Sequence, residues 1–230
     1  NSQLEDIAVN TNERMSLGDS KSNNVNGSLN VVRRFGSLGR NLSLRVSGGY
    51  QESENNSYSI SNIRYFNGDA PNFLNQYSHT PSKNWNYNVR VGYAEPITKN
   101  LFAEVRYEYA FKYTDSDRSR YNLDKIDAAL GAWGDPTNFP PIGTLPTEAD
   151  VLAAVRDLNN SQYATYKYYD HTVNAGLRYN TEKIRFNVGE DFNPEKTKMA
   201  YESPGQNNHT LITRKELNVS PQIHFRYRLH

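Results

Sequence analysis

Five histidines, His79, His171, His209, His224 and His230, are the side chains best suited to bind a transition metal, yet no two sit at the spacing that brings a pair of imidazoles onto one ion. They read as ordinary surface or interior histidines, and neither a metal nor any other cofactor is expected. Asp115, Asp117, Asp124 and Asp127 offer oxygen ligands of the kind calcium takes, but without the regular positions of a calcium-binding loop. Arg118 and Arg120 beside them make a solvated, charge-balanced segment the simpler reading. Nucleophile elbows, phosphate-cradling glycine loops, dinucleotide fingerprints and the His-Glu-x-x-His zinc motif are missing, so no catalytic residue can be named and an enzyme is not expected. Three aromatics, Tyr121, Trp133 and Phe139, have the flat faces that stack on a sugar or similar ligand. The competing role for them is to pack their own loop onto itself.

Composition narrows the class. With 26 basic and 25 acidic residues spread along the chain, nothing resembles the basic stripe that nucleic acid requires. There is no cysteine, which excludes disulfides and thiolate metal sites. Seventeen tyrosines against two tryptophans and two methionines give a surplus of side chains with an apolar body and a polar tip, suited to membrane interfaces and ligand surfaces. No run approaches the roughly 20 apolar residues of a membrane helix. The mean hydropathy of -0.84 does not argue against a barrel, because a barrel strand shows lipid only at every second residue.

The elements that must position these residues are strands, since apolar and polar residues alternate with period two. Leu101, Ala103, Val105, Tyr107, Tyr109, Phe111 and Tyr113 share one parity, while Glu104, Arg106, Glu108 and Lys112 share the other. Trp85, Tyr87, Val89, Val91 and Tyr93 alternate with Asn86, Asn88, Arg90 and Gly92. The same rule holds from Val25 to Phe35, Leu42 to Tyr50, Val173 to Tyr179, Ile184 to Phe192 and Leu217 to Leu229, where Asn218, His224 and Arg226 take the polar parity. Seven antiparallel strands are expected, in an all-β meander.

Short turns join Phe35 to Leu42, Ile97 to Leu101 and Tyr179 to Ile184, whereas long connections run from Glu52 to Asn84, Thr114 to Gln162 and Asn193 to Glu216. This one-sided distribution is that of an outer-membrane barrel with short periplasmic turns and long external loops. Tyr58 to Phe66 is read as an extramembrane extension of the strand from Leu42, and residues 1–24 as a loop or strand remnant too polar and broken for a lipid-facing strand. Residues 115–162 form the longest external loop, with one short amphipathic helix at 147–159. That helix is suggested by Thr147 and Asp150 as a capping box and by Val151, Leu152, Val155 and Leu158 at helical spacing. Tyr93, Tyr179 and Tyr227 beside the short turns, with Trp85, Tyr113 and Tyr169 toward the loops, match two aromatic girdles.

The Tyr-rich hairpin Trp85 to Tyr113 with its Thr98-Lys99-Asn100 turn, the hairpin Tyr169 to Phe192 and the strand Asn218 to Tyr227 together resemble the barrel of TonB-dependent outer-membrane receptors, in particular the Bacteroidetes-type outer membrane protein β-barrel family. The resemblance implies a larger receptor in the bacterial outer membrane. It also implies a plug inside the barrel, energised uptake through TonB, and a surface lipoprotein as a further partner. No plug-like segment or TonB-contact box is present in the chain, which with its odd strand number is expected to be a barrel fragment lacking the remaining strands.

Two readings therefore stand. In the first, the apolar parity faces outer-membrane lipid, and the polar parity, including Arg90, Glu104, Arg106, Glu108 and Arg226, lines the lumen of a receptor or transport barrel. In the second, the chain is a soluble all-β surface module, such as a sugar-binding sandwich, with the apolar parity packed between two sheets. A barrel that only anchors a surface or secretion complex uses the same features as the first.

Overall fold

Alternation at this period makes each strand two-faced, and the backbone ladder decides how far each strand continues. In a computed structural model, which describes residues 10–36, 38–66 and 69–228, seven strands form one antiparallel sheet. They are β1 (Asn10–Phe35), β2 (Arg40–Tyr65), β3 (Asn72–Pro96), β4 (Leu101–Asn122), β5 (Gln162–Asn180), β6 (Ile184–Ser203) and β7 (Asn208–Tyr227). Their order in space is their order in sequence, and the sheet is not closed, so β1 and β7 are its edges. Residues 1–9, Leu229 and His230 lie outside the described residues.

The short turns are set by local chemistry. Gly36 and Gly39 bend the β1–β2 connection at φ of 68° and 90°, a region that disfavours any residue with a Cβ. In the β3–β4 turn the Thr98 hydroxyl accepts from the amide of Leu101 at 3.2 Å. Thr181 does the same for Ile184 at 2.9 Å in the β5–β6 turn, so in both cases a side chain substitutes for a missing ladder partner.

The strands are longer than their apolar segments, and the expected loops change with them. The polar stretch from Asn10 to Asn24 is strand, paired residue by residue with β2 from Asn10 opposite Tyr65 to Asn24 opposite Gln51. Backbone pairing with a neighbour already in place overrides weak strand propensity. The connection expected from Glu52 to Asn84 shrinks to residues 66–71, and that from Asn193 to Glu216 to residues 204–207, because both flanking strands run on. Tyr58 to Tyr65 does extend β2, as expected for a continuation of the strand from Leu42. The loop expected over residues 115–162 shortens to 123–161, because β4 runs on to Asn122 and β5 begins at Gln162; it alone remains a long connection. Its helix α1 (Ala149–Ala154) covers less than 147–159, and Glu148 at its N-cap makes no side-chain capping bond, so the Thr147–Asp150 box does not form. A single 3-10 turn occupies Leu123–Lys125.

Partner residues share a face of a sheet, and the register carries one parity across all seven strands. Val91 lies opposite Tyr107, which lies opposite Val173; Leu177 lies opposite Val188, and Val188 opposite Ile223. Arg90 lies opposite Glu108 and Arg106 opposite Asn174, on the other face. One face is thus apolar and the other polar. The alternation omitted two charged residues: Glu190 stands on the apolar face between Ala175 and Pro221, and Arg33 stands on it opposite Leu42.

The buried apolar cluster lies beyond the apolar band, where the long connection folds back on the strand extensions. Leu123, 1 % exposed, joins Tyr77 and Ile126 there, with Tyr58, Tyr121, Trp133 and Val151 packed around them. Tyr77 stacks on Tyr58 at 4.8 Å and on Tyr121 at 5.6 Å, and its hydroxyl donates to Asn56 Oδ1 at 2.8 Å. Burial first, then the neighbouring Tyr58, Tyr121 and Glu54, push the Tyr77 hydroxyl up to about 12 from an ordinary value of 10.0. Because the unfolded phenol loses its proton first, this tyrosine's contribution to stability is complete below the ordinary value and is lost as pH rises toward about 12. Alkaline titration is expected to open residues 123–161 to protease within that window, and Tyr77→Phe to remove the pH step while leaving the strand content unchanged by circular dichroism.

Candidate functional site on the polar face

On the polar face, side chains from neighbouring strands meet in hydrogen-bonded groups. Arg90 on β3 donates through Nε and Nη2 to Glu108 Oε2 on β4 at 2.6 and 2.5 Å, and Asn88 donates to the other oxygen of the same carboxylate. Arg45 completes that row from β2. Glu104 pairs with Arg178 of β5 at 2.8 Å, and the Arg178 guanidinium also lies over the Phe102 ring, 5.0 Å from its centre. On β5 and β6, Asn174 donates to Asp191 at 2.5 Å, and Gln222 of β7 donates to that aspartate's second oxygen.

These groups border a groove whose floor is backbone. Gly176 and Gly189 face each other across β5 and β6, and a Cβ on Gly176 would stand 2.8 Å from the Val188 carbonyl oxygen. With no side chain on either glycine, the groove is lined by Glu104, Arg106, Asn174, Arg178, Asn187, Gln222 and His224. Arg106 forms no ion pair among the described residues, so one cation of the lining is not neutralised by the protein. The arrangement offers donors, acceptors and charge to a polar solute and pairs no nucleophile with a base, which makes it a binding surface. Among the described residues no group of three or more ligating side chains could hold a metal ion.

Of the charges singled out from the sequence, Arg90 and Glu108 are brought together, and Glu104 and Arg106 share the groove. Arg226 lies apart, opposite Arg185 near the short turns, in a basic depression with Lys183 and Arg228. Arg178 was not singled out from the sequence, and Gln222 and His224 were placed on the polar parity but not in a site. Their signal was the two glycines at strand-interior positions, which mark a close approach or an open surface.

The loop aromatics occupy a different place. Tyr121 and Trp133 pack in the cluster around Tyr77, and Phe139 lies 5.4 Å from Phe73. The loop is tied to β2 and β3 by Asn62, which donates to the Pro136 carbonyl at 3.0 Å, and by Asn75, which donates to that of Trp133 at 3.2 Å. Asp157 closes its far end by accepting from Asn160 at 2.8 Å and from Asn122 at 3.1 Å. The Asn160 contact first, then Asn122, holds its carboxyl below the ordinary carboxylate range. All the strand residues in the Tyr77 cluster, and Asn62 and Asn75, carry the apolar-face parity, so the loop lies on that side of the sheet. No protein-family model matches the chain, and no curated protein matches it either.

The glycine floor sets an expectation for substitution. Gly176→Val forces backbone to shift around the new side chain and should cost about 1–3 kcal/mol, read as a lower denaturation midpoint. Gly27→Ala, where nothing lies within 4 Å of the added Cβ, should leave the midpoint unchanged or slightly raised.

Proposed function

We propose that this sheet is part of the wall of a β-barrel in a bacterial outer membrane, and that the protein is a receptor or transport barrel whose polar face binds a polar solute on its way through. The observation that carries the reading is an uncovered apolar band that crosses neighbouring strands, continuous from Leu101 to Tyr113 on β4. It also runs from Trp85 to Tyr93 on β3, Leu42 to Tyr50 on β2, Tyr169 to Tyr179 on β5 and Ile184 to Phe192 on β6. Each of these stretches is about 9–11 residues, the length a tilted strand needs to cross a bilayer. Val105 is 52 % exposed and Ile223 74 %, exposure that a water-facing surface of this extent would not tolerate without a partner.

Two further features support a bilayer. Aromatics crowd the border toward the loops, where Tyr50, Trp85 and Tyr113 occupy one hydrogen-bonded row and the last two stack at 4.0 Å. That row continues into Lys167 and Lys198, although β5 and β6 become apolar only from Tyr169 and Phe192. The border therefore cuts the rows obliquely, as it does when strands lean against the membrane normal. Three polar residues interrupt the band: His171, hydrogen-bonded to Tyr107 at 2.9 Å, Glu190, a carboxylate being less costly toward lipid than Lys or Arg, and Arg33, which lies opposite Leu42 beside the short β1–β2 turn with its guanidinium over the Phe35 ring. The soluble sandwich requires a second apolar layer over the band, and among the described residues the only loop on that face covers the strand extensions.

In this reading the unpaired edges of β1 and β7 call for further strands, since an open edge has no partner in hydrocarbon. The loop 123–161 stands outside the wall beyond the bilayer, so solute selection falls to the groove around Gly176 and not to Tyr121, Trp133 and Phe139. A plug, coupling to TonB and a surface lipoprotein partner belong to the same proposal and rest on the resemblance alone.

The test is insertion. Val105→Arg should cost about 2–4 kcal/mol if that position faces the bilayer interior, seen as a lower yield of protease-protected protein in vesicles. Asn174→Arg, on the polar face, should insert as the parent does. A chain that is a monodisperse monomer in plain buffer with a cooperative melt would sink the membrane reading and favour the soluble module.

A further inference from the structure

Beyond the apolar band, the apolar-parity face of the sheet carries charge, and its two halves are built differently. On β1–β4 opposite charges face each other: Lys21 lies opposite Glu54, and Glu52 opposite Lys83, which lies opposite Asp115. On β5–β7 the pairs are like-charged, Lys167 opposite Lys198 and Lys196 opposite Lys215. Like charges directly across a ladder repel. Among the described residues none of these four lysines has an ion-pair partner.

Their position is as specific as their charge. Lys196 lies opposite Tyr169, at the first aromatic of the band on β5. A depression there is lined by Tyr169, His171 and Pro194 on the apolar side and by Lys196, Lys198 and Lys215 on the charged side. Glu195 and Glu216 also border it, but register assigns them to the opposite face, and Glu216 is engaged by Arg214. Lys167 rests over the Tyr113 ring, 5.6 Å from its centre, so its ammonium is held near the patch without being neutralised.

We propose that this patch binds the phosphorylated headgroup of a lipid in the leaflet on the loop side. The inference rests on the membrane reading above. A phosphomonoester headgroup supplies the anion that two opposed lysine pairs lack, and its acyl chains continue onto the apolar surface of Tyr169, Pro194 and the band below. A neutral headgroup satisfies the apolar half and leaves the repulsion in place. A soluble anion satisfies the lysines and makes no use of the apolar half.

The experiment reconstitutes the full protein into vesicles of phosphatidylcholine alone and of phosphatidylcholine containing phosphatidic acid, then extracts it in mild detergent and weighs retained lipid by native mass spectrometry. The parent should retain phosphatidic acid preferentially. Removing two surface cations with K196Q and K215Q together should weaken that retention about twenty- to thirtyfold, while K99Q in the β3–β4 turn should not. The double variant is expected to insert as the parent does, by circular dichroism and protease protection, because the substitution relieves repulsion. If the double variant fails to insert, K167Q and K198Q are to give the same loss of retention. Equal retention of both lipids by an inserted parent, or unchanged retention in the inserted variants, overturns the headgroup site alone. Displacement of the lipid by inorganic phosphate overturns it in favour of a soluble anion. A parent that enters neither vesicle overturns the membrane reading as well.

Discussion

Side-chain parity in a sheet passes from strand to strand only through the register of the backbone ladder, and a slip of one residue on any strand exchanges its faces. Here partner numbers change in step along every pair from β1 to β7, without a bulge. The apolar band, the Arg90–Glu108 and Glu104–Arg178 pairs and the lysine patch all exist because that register is unbroken. The glycine turn at Gly36 and Gly39 and the hydroxyl-closed turns at Thr98 and Thr181 anchor it at one end. The packed connection 123–161 braces β2 to β4 at the other.

Each face then works under a different solvent constraint. On the polar face, charges meet as pairs because adjacent strands bring them close enough to neutralise one another, and the glycine pair Gly176–Gly189 opens a surface that those pairs surround. On the apolar face nothing among the described residues covers the band. In the proposed barrel the two constraints are one: a strand with lipid on one side and water on the other must alternate, and the long polar extensions place the charged rows of the same face beyond the bilayer.

The loop aromatics show how position changes a role. Tyr121, Trp133 and Phe139 have the chemistry to hold a flat ligand, yet Tyr121 and Trp133 pack around Tyr77 and Phe139 sits against Phe73. Their side of the sheet follows from parity, since Tyr58, Tyr77 and Tyr121 are successive cross-strand partners. A loop of this size has to bury apolar residues somewhere, and the extensions provide the nearest apolar surface.

Strand type, strand number, meander order and the identity of the two faces were legible in the residues, because alternation and turn chemistry are local properties. The placement of Val105 against Arg106 needs only a period of two, and the short turns need only Gly36, Gly39, Thr98 and Thr181. Strand length was not legible: Asn10 to Asn24 and Asn193 to Ser203 are polar, and they are strands because a neighbour supplies their hydrogen bonds. The convergence of Glu104 with Arg178, the exposed position of Glu190 and the opposition of Lys196 to Lys215 were likewise decided only in the folded sheet. Each is a relation between residues on different strands, set by a register that no single strand contains.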